Sequence, residues 1–162
     1  MKKSSFTFYG LALAFVFAAA AVPAAAQTGT VAKGPDASVT RDPDVEKAAM
    51  KNLEAARHYF KLRKAYYASR ERAEEILVAF PDFTRTDEVL YIAGMSGLYL
   101  SEGKGKQPVP KSLPPERAEE YTPERLRASA RFNLSRLVEN HPDSKFRKDA
   151  EATLKLLGPE KQ

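Results

Sequence analysis

The chain has 162 residues, 43% of them hydrophobic, and a formal net charge of +5. That length makes one domain with a modest core. There is no cysteine, which excludes disulfide staples, cysteine-held metal and a lipid-bearing cysteine, so the fold must hold by packing alone.

Lys2 and Lys3 form a basic start, Phe6 to Val22 is apolar and rich in alanine, and Pro23-Ala24-Ala25-Ala26 ends in an A-x-A site. Residues 1–26 therefore read as a signal peptide cleaved after Ala26, with a retained membrane anchor as the alternative. Residues 27–41 are polar with no apolar period and read as a disordered leader.

Asp42-Pro43 is a helix start, with Asp42 capping and Pro43 in the first helical position. Val45, Ala49, Leu53, Ala56 and Phe60 then recur at steps of three and four, the spacing of one helix face. No glycine marks a turn near Arg63-Lys64-Ala65, so the chain either turns tightly there or runs on as one bent helix. Tyr66, Ser69, Ala73, Ile76, Leu77 and Phe80 form the next stripe, which Pro81-Asp82 stops because proline cannot continue the ladder. Thr86 is the expected N-cap of a further helix, with Asp87 and Glu88 in its first turn. That helix is apolar nearly all round. Leu90, Ala93, Gly94 and Gly97 make one face, and Tyr91, Ile92, Met95 and Tyr99 another. A helix with no polar side is packed by neighbours on both sides, which makes this one the centre of the core. Gly94 is expected to let the preceding helix come close, near Ala73 and Ile76.

Residues 103–121 read as a proline-rich insertion, with Gln107 to Tyr121 extended and covering little core. Thr122-Pro123-Glu124 restarts a helix whose core stripe is Leu126, Ala130, Leu134, Leu137 and Val138. Ser144 opens a last helix with Phe146, Ala150, Leu154 and Leu157 inward, Gly158-Pro159 closes it, and 159–162 is a tail.

One phrase is met twice. Ile76-Leu77-Val78-Ala79-Phe80-Pro81-Asp82 parallels Leu137-Val138-Glu139-Asn140-His141-Pro142-Asp143, each followed by a fresh helical pattern. The expected fold over 42–158 is therefore all-α: a short right-handed solenoid of about two helical hairpins and a terminal capping helix. The chain here resembles the tetratricopeptide-type repeats of the BamD family of outer-membrane protein assembly factors. The resemblance is carried by Tyr59 to Arg63 with Tyr66-Tyr67-Ala68, by Ala79 to Phe83, by Thr86 to Tyr91 and by Leu137 to Ser144.

Sites of chemistry are not expected. His58 and His141 have no second ligand at metal spacing, and His141 stands where the first phrase has Phe80. Gly103 and Gly105 lack the rest of a phosphate loop, and Glu74-Glu75 and Glu119-Glu120 read as solvated faces. No cofactor, metal or catalytic residue is assigned. Arg57, Lys61, Arg63, Lys64, Arg70 and Arg72, with Tyr59, Tyr66 and Tyr67 among them, form a basic and aromatic cluster. The exported address argues against nucleic acid as its target. An acidic protein segment or anionic lipid headgroups suit it better, beside a plain solvated face. In helical-repeat proteins the concave face binds peptides, which makes Tyr91, Met95 and Tyr99 candidates for a groove, with core burial as the competing role. Arg63, Lys64, Tyr67 and Arg70 complete the candidate partner-binding set.

The resemblance implies a non-enzymatic periplasmic scaffold that binds protein partners of the cell envelope, in outer-membrane β-barrel assembly. Lacking a lipidation cysteine, it would reach the membrane only indirectly. Alternatives are an adaptor similar to the coordinators of the Tol-Pal and peptidoglycan systems, and an accessory subunit of an envelope enzyme.

Overall fold

A computed structural model describes residues 42–158; the segments read as signal peptide, leader and tail lie outside the described residues. Asp42 caps as expected: its carboxylate accepts from the Asp44 N–H at 2.9 Å and opens α1, Pro43–Arg57. Ala49, Leu53 and Ala56 line its buried side, whereas Val45 is 48% exposed and lies off the core. The helix passes directly into a π-helical turn, His58–Arg63, and the chain then reverses. Lys64 makes the reversal in the left-handed region, at φ 53, and the Tyr59 carbonyl accepts from both Lys64 and Ala65. A tight turn is thus formed without glycine, and α2, Tyr66–Ala79, packs back on α1.

Pro81-Asp82 ends α2 as its chemistry requires, and α3 follows as Thr86–Ser101. Thr86 does not cap it. Its hydroxyl donates backward to the Phe83 carbonyl at 2.6 Å, and Arg85 holds the cap position instead. The helix lies between α2 and α5, Pro123–Asn140. Val89, Ile92 and Ala93 close one cluster with Ala49, Leu53, Ala56, Ala73 and Ile76. Leu90 and Met95 close the other with Leu134, Leu137 and Ala150. The expected centre of the core is the observed one.

The glycines of α3 face the helix after it, not the one before. A Cβ on Gly94 would lie 2.7 Å from Leu134 Cγ and 3.2 Å from the Ala130 carbonyl oxygen, and one on Gly97 would lie 3.3 Å from that of Leu126. Towards α2 the contact is made by serines: Ser96 donates to Ser69 at 3.2 Å, and Ser69 to the Ala56 carbonyl at 3.1 Å, all buried. Helical spacing defines a face but not which neighbour it meets, and so the expected partner of Gly94 was the wrong one.

The insertion packs more than its prolines suggest. It includes a short helix, α4, Pro115–Glu119, and ends in Tyr121, which is buried. Thr122 then caps α5 by accepting from the Arg125 N–H at 3.4 Å. Ser144 starts the turn ahead of α6, Arg147–Leu157, and donates to the Asp87 carboxylate at 2.7 Å, tying that turn to the start of α3. The repeat seen in sequence is a repeat of backbone. Phe80 ends α2 at φ −134, ψ 67 and His141 ends α5 at φ −129, ψ 68. Each turn carries the same hydrogen bonds, Phe83 to Phe80 and Thr86 to Phe83 in one, Ser144 to His141 and Arg147 to Ser144 in the other. Among the described residues the chain is all-α, with helical hairpins packed as a short solenoid and no strand.

Candidate partner-binding surface

The basic cluster read from the sequence is divided by the fold. Arg57 grips Glu88 with two bonds of 2.6 Å, from Nε and Nη2, joining the end of α1 to the start of α3. Burial alone would raise the Glu88 pKa, but the Arg57 hydrogen bond and the Arg57 and Arg85 charges outweigh it and hold the carboxyl below its ordinary value. The folded pKa is depressed, so the contribution is fully present above the ordinary carboxylate range and is lost as pH falls through the lowered value. Arg72 pairs with Glu75 at 2.6 Å. Arg70 is buried, pairs with Glu74 at 2.7 Å and lies over the Tyr121 ring, its carbon 4.9 Å from the centroid. Among the described residues its Nε and Nη1 have no hydrogen-bond partner. Lys61, Arg63 and Lys64 remain exposed at the α1–α2 turn.

The groove candidates on α3 are taken up by the chain's own packing. Tyr91 stacks on Phe146 with ring centroids 4.6 Å apart and meets Phe60 edge-on. Burial, and then the Asp149 carboxylate, push its phenol up to about 12. Met95 is buried, with the Thr153 hydroxyl 3.7 Å from its sulfur. Tyr99 lies 4.7 Å from Tyr66 and stacks on Phe60. These three pack against the core, Met95 buried and Tyr91 and Tyr99 partly so.

Tyr67 is placed otherwise. It packs on Tyr121 at 5.2 Å and lines an open groove of about 630 Å³ along the outer side of α2. Tyr59, Val78 and the carboxylates Glu71, Glu74, Glu75 and Glu120 line it too. Val78 is 83% exposed. Arg117 from α4 reaches Glu71 at 2.7 Å, and the Tyr121 hydroxyl donates to the same carboxylate. Burial would raise the Glu71 pKa, yet those two hydrogen bonds prevail and lower it, so Glu71 stays charged. Glu74 goes the other way: its burial outweighs the Arg70 charge and raises its pKa. Aromatic and aliphatic surface edged by carboxylates suits a segment carrying both apolar and basic residues.

Arg63, Lys64, Tyr67 and Arg70 thus do not form one site. Glu71, Val78 and Tyr121 were missed. Val78 carried a signal, as an aliphatic residue on the polar side of its helix, whereas the Glu71–Tyr121 contact joins distant segments and left none. Among the described residues no group of three or more histidine, cysteine or acidic side chains is placed to hold a metal, and no helix is long and apolar enough to cross a membrane. Comparison with known protein families, with characterised proteins and with solved structures finds no match to this chain.

Proposed function

We propose that the chain is a non-enzymatic repeat scaffold of the cell envelope, exported by its N-terminal segment and binding a protein partner. The BamD resemblance points that partner role towards outer-membrane β-barrel assembly. The observation that carries the reading is the recurrence of one turn, with matching backbone angles at Phe80 and His141, at the ends of two stacked hairpins. Such stacking builds a surface from several helices, and repeat proteins use surfaces of that kind for binding. The α2 groove is the surface assigned to the partner. Its floor of Tyr59, Tyr67 and Val78 supplies apolar contact, and its carboxylates select a segment with basic residues.

The test is capture from envelope extract by the parent chain beside a Tyr67→Ala/Val78→Asp variant, both side chains lying outside the buried core. Barrel-assembly components held by the parent and lost by the variant are the expected result. Tol proteins or peptidoglycan synthases held in the same way would replace assembly by the coordinator role. Equal recovery with parent and variant would remove the groove, and no specific recovery would remove the scaffold reading.

A further inference from the structure

The end of the solenoid where α1 turns into α2 carries a surface that the hairpin packing does not use. Lys61, Arg63 and Lys64 are exposed there, and Leu62 between them is 72% exposed. A second segment comes to the same place. The Lys106 N–H donates to the Lys64 carbonyl at 2.9 Å, which sets Lys104 and Lys106 beside the turn. Gly105 makes the approach possible: at φ 110, a Cβ there would lie 2.8 Å from the Lys64 carbonyl oxygen and 2.8 Å from the Tyr66 ring. Lys104 pairs with Glu102 at 2.8 Å, and the other cations have no carboxylate within pairing distance among the described residues.

Part of this has a local explanation. The carbonyl ends of the π-helical turn and of α3 both arrive at the tip, and cations offset the roughly half negative charge at each helix end. A single exposed leucine is also ordinary. Leu62 is different in standing between Lys61 and Arg63 on a turn to which a second lysine-bearing segment is bonded, through the Lys106 N–H and the Lys64 carbonyl. Exposed aliphatic surface framed by lysine and arginine is the composition of a membrane-surface contact. We propose that this tip docks on an anionic lipid surface, with Lys61, Arg63, Lys64 and Lys106 against the headgroups and Leu62 entering the interface. A bilayer is favoured over an acidic peptide by shape. The tip is a chain reversal whose side chains are exposed, and among the described residues the grooves lined by α1, α2, α4 and α5 take in none of Lys61, Leu62, Arg63, Lys64 or Lys106. The inference stands on the tip's own chemistry and holds whether or not the α2 groove binds a protein.

Co-sedimentation of the full chain with mixed phosphatidylglycerol–phosphatidylcholine vesicles, against pure phosphatidylcholine, tests it. Binding should favour the mixed vesicles and weaken with salt. Each cation near such a surface is worth about fivefold, so Lys61→Gln/Lys106→Gln should weaken binding about 25-fold. Leu62→Ser should weaken it about tenfold and leave the salt dependence unchanged. All three side chains are exposed, so thermal unfolding of the variants should match the parent and exclude loss by misfolding. The apolar stretch Phe6 to Val22 is common to every variant, so differences between variants report the tip alone. Equal binding to both vesicle types, or variants that bind like the parent, would overturn the proposal. So would capture of soluble polyglutamate by the tip without charge-selective vesicle binding, which would make the ligand an acidic protein segment.

Discussion

The two hairpins end in the same turn but are closed at the other end by unlike connections. Between α1 and α2 the chain reverses within Lys64 and Ala65; between α3 and α5 it wanders from Glu102 to Thr122. The helices nevertheless stack as repeats, since helix packing sets the layer and a loop need only span its ends. The long connection also supplies what the short one lacks. Ala65 stands at the N-cap of α2 and has no side-chain acceptor, and Gln107 fills the need from the insertion, its amide oxygen accepting from the Ala68 N–H at 3.2 Å. Further along, Arg117 and Tyr121 close on Glu71 of the same helix. The loop that joins the second hairpin therefore secures the first.

The largest effect should come from the close face of the second hairpin. Gly94→Leu drives a whole side chain into Leu134 and the Ala130 carbonyl, and should cost about 3 kcal/mol or more, the upper end for overpacking. Gly94→Ala regains helix propensity of about 1 kcal/mol, but its Cβ meets the buried Leu134 Cγ at 2.7 Å, so it too should lose stability, by about 1 kcal/mol. Gly97→Ala is tight only against the Leu126 carbonyl oxygen, at 3.3 Å, with Ala130 at ordinary contact, and should be near neutral. Chemical denaturation of the three proteins checks the order. A Gly94→Leu protein as stable as the parent would mean that α3 and α5 can separate without cost, and the two hairpins would no longer form one packed unit.

What was legible in the sequence was what local chemistry dictates. Proline forbids the ladder, so both Pro-Asp turns follow from the residues alone, and α3 declared its burial by having no polar face. What was not legible depended on partners far along the chain. Arg70–Glu74 and Arg72–Glu75 are near pairs at helical spacing, but only the fold shows that Arg57 meets Glu88, a carboxylate from another helix. Tyr91, Met95 and Tyr99 share a face whose sequence admits groove as well as core until Phe60, Phe146 and Thr153 are seen against it. The prolines of the insertion suggested a linker because they fix local backbone, and they say nothing of where Gln107 and Tyr121 dock.

The second prediction removes the aid that one hairpin gives the other. Replacing Gln107 to Tyr121 by a Gly/Ser linker should cost about 2–3 kcal/mol: burial of Tyr121 contributes about 1.5–3 and the Gln107 cap about 1, less what the linker itself regains. Tyr121→Phe keeps the burial and removes only the hydroxyl bond to Glu71, so it should cost about 1 kcal/mol. Hydrogen exchange distinguishes this from a general loosening. The α2 amides near Ala68 should lose protection first, ahead of those in α5. A linker variant as stable as the parent would reduce the insertion to a spacer and break the coupling between the hairpins.

The smallest effect lies at Lys64, and its sign is positive. The residue sits at φ 53, ψ 32, where an L side chain costs about 1–2 kcal/mol, because its Cβ crowds the carbonyl that follows. Lys64→Gly relieves that strain and gives back part of it through the larger freedom of glycine in the unfolded chain, about 0.5–1 kcal/mol. The net expectation is a gain of about 0.5–1 kcal/mol in thermal or chemical unfolding. Removal of charge is the competing explanation for such a gain, since Lys64 stands among Lys61, Arg63 and Lys106. Lys64→Ala separates the two, because alanine loses the charge and keeps the left-handed cost. If strain is the cause, alanine should match lysine and only glycine should gain. If both variants gain equally, relief of repulsion is the cause, and the short turn is no more strained than the long connection it is compared with. A loss in Lys64→Gly would instead show that the freedom glycine gains in the unfolded chain outweighs the strain, since Lys64 meets the insertion through its carbonyl, which glycine keeps.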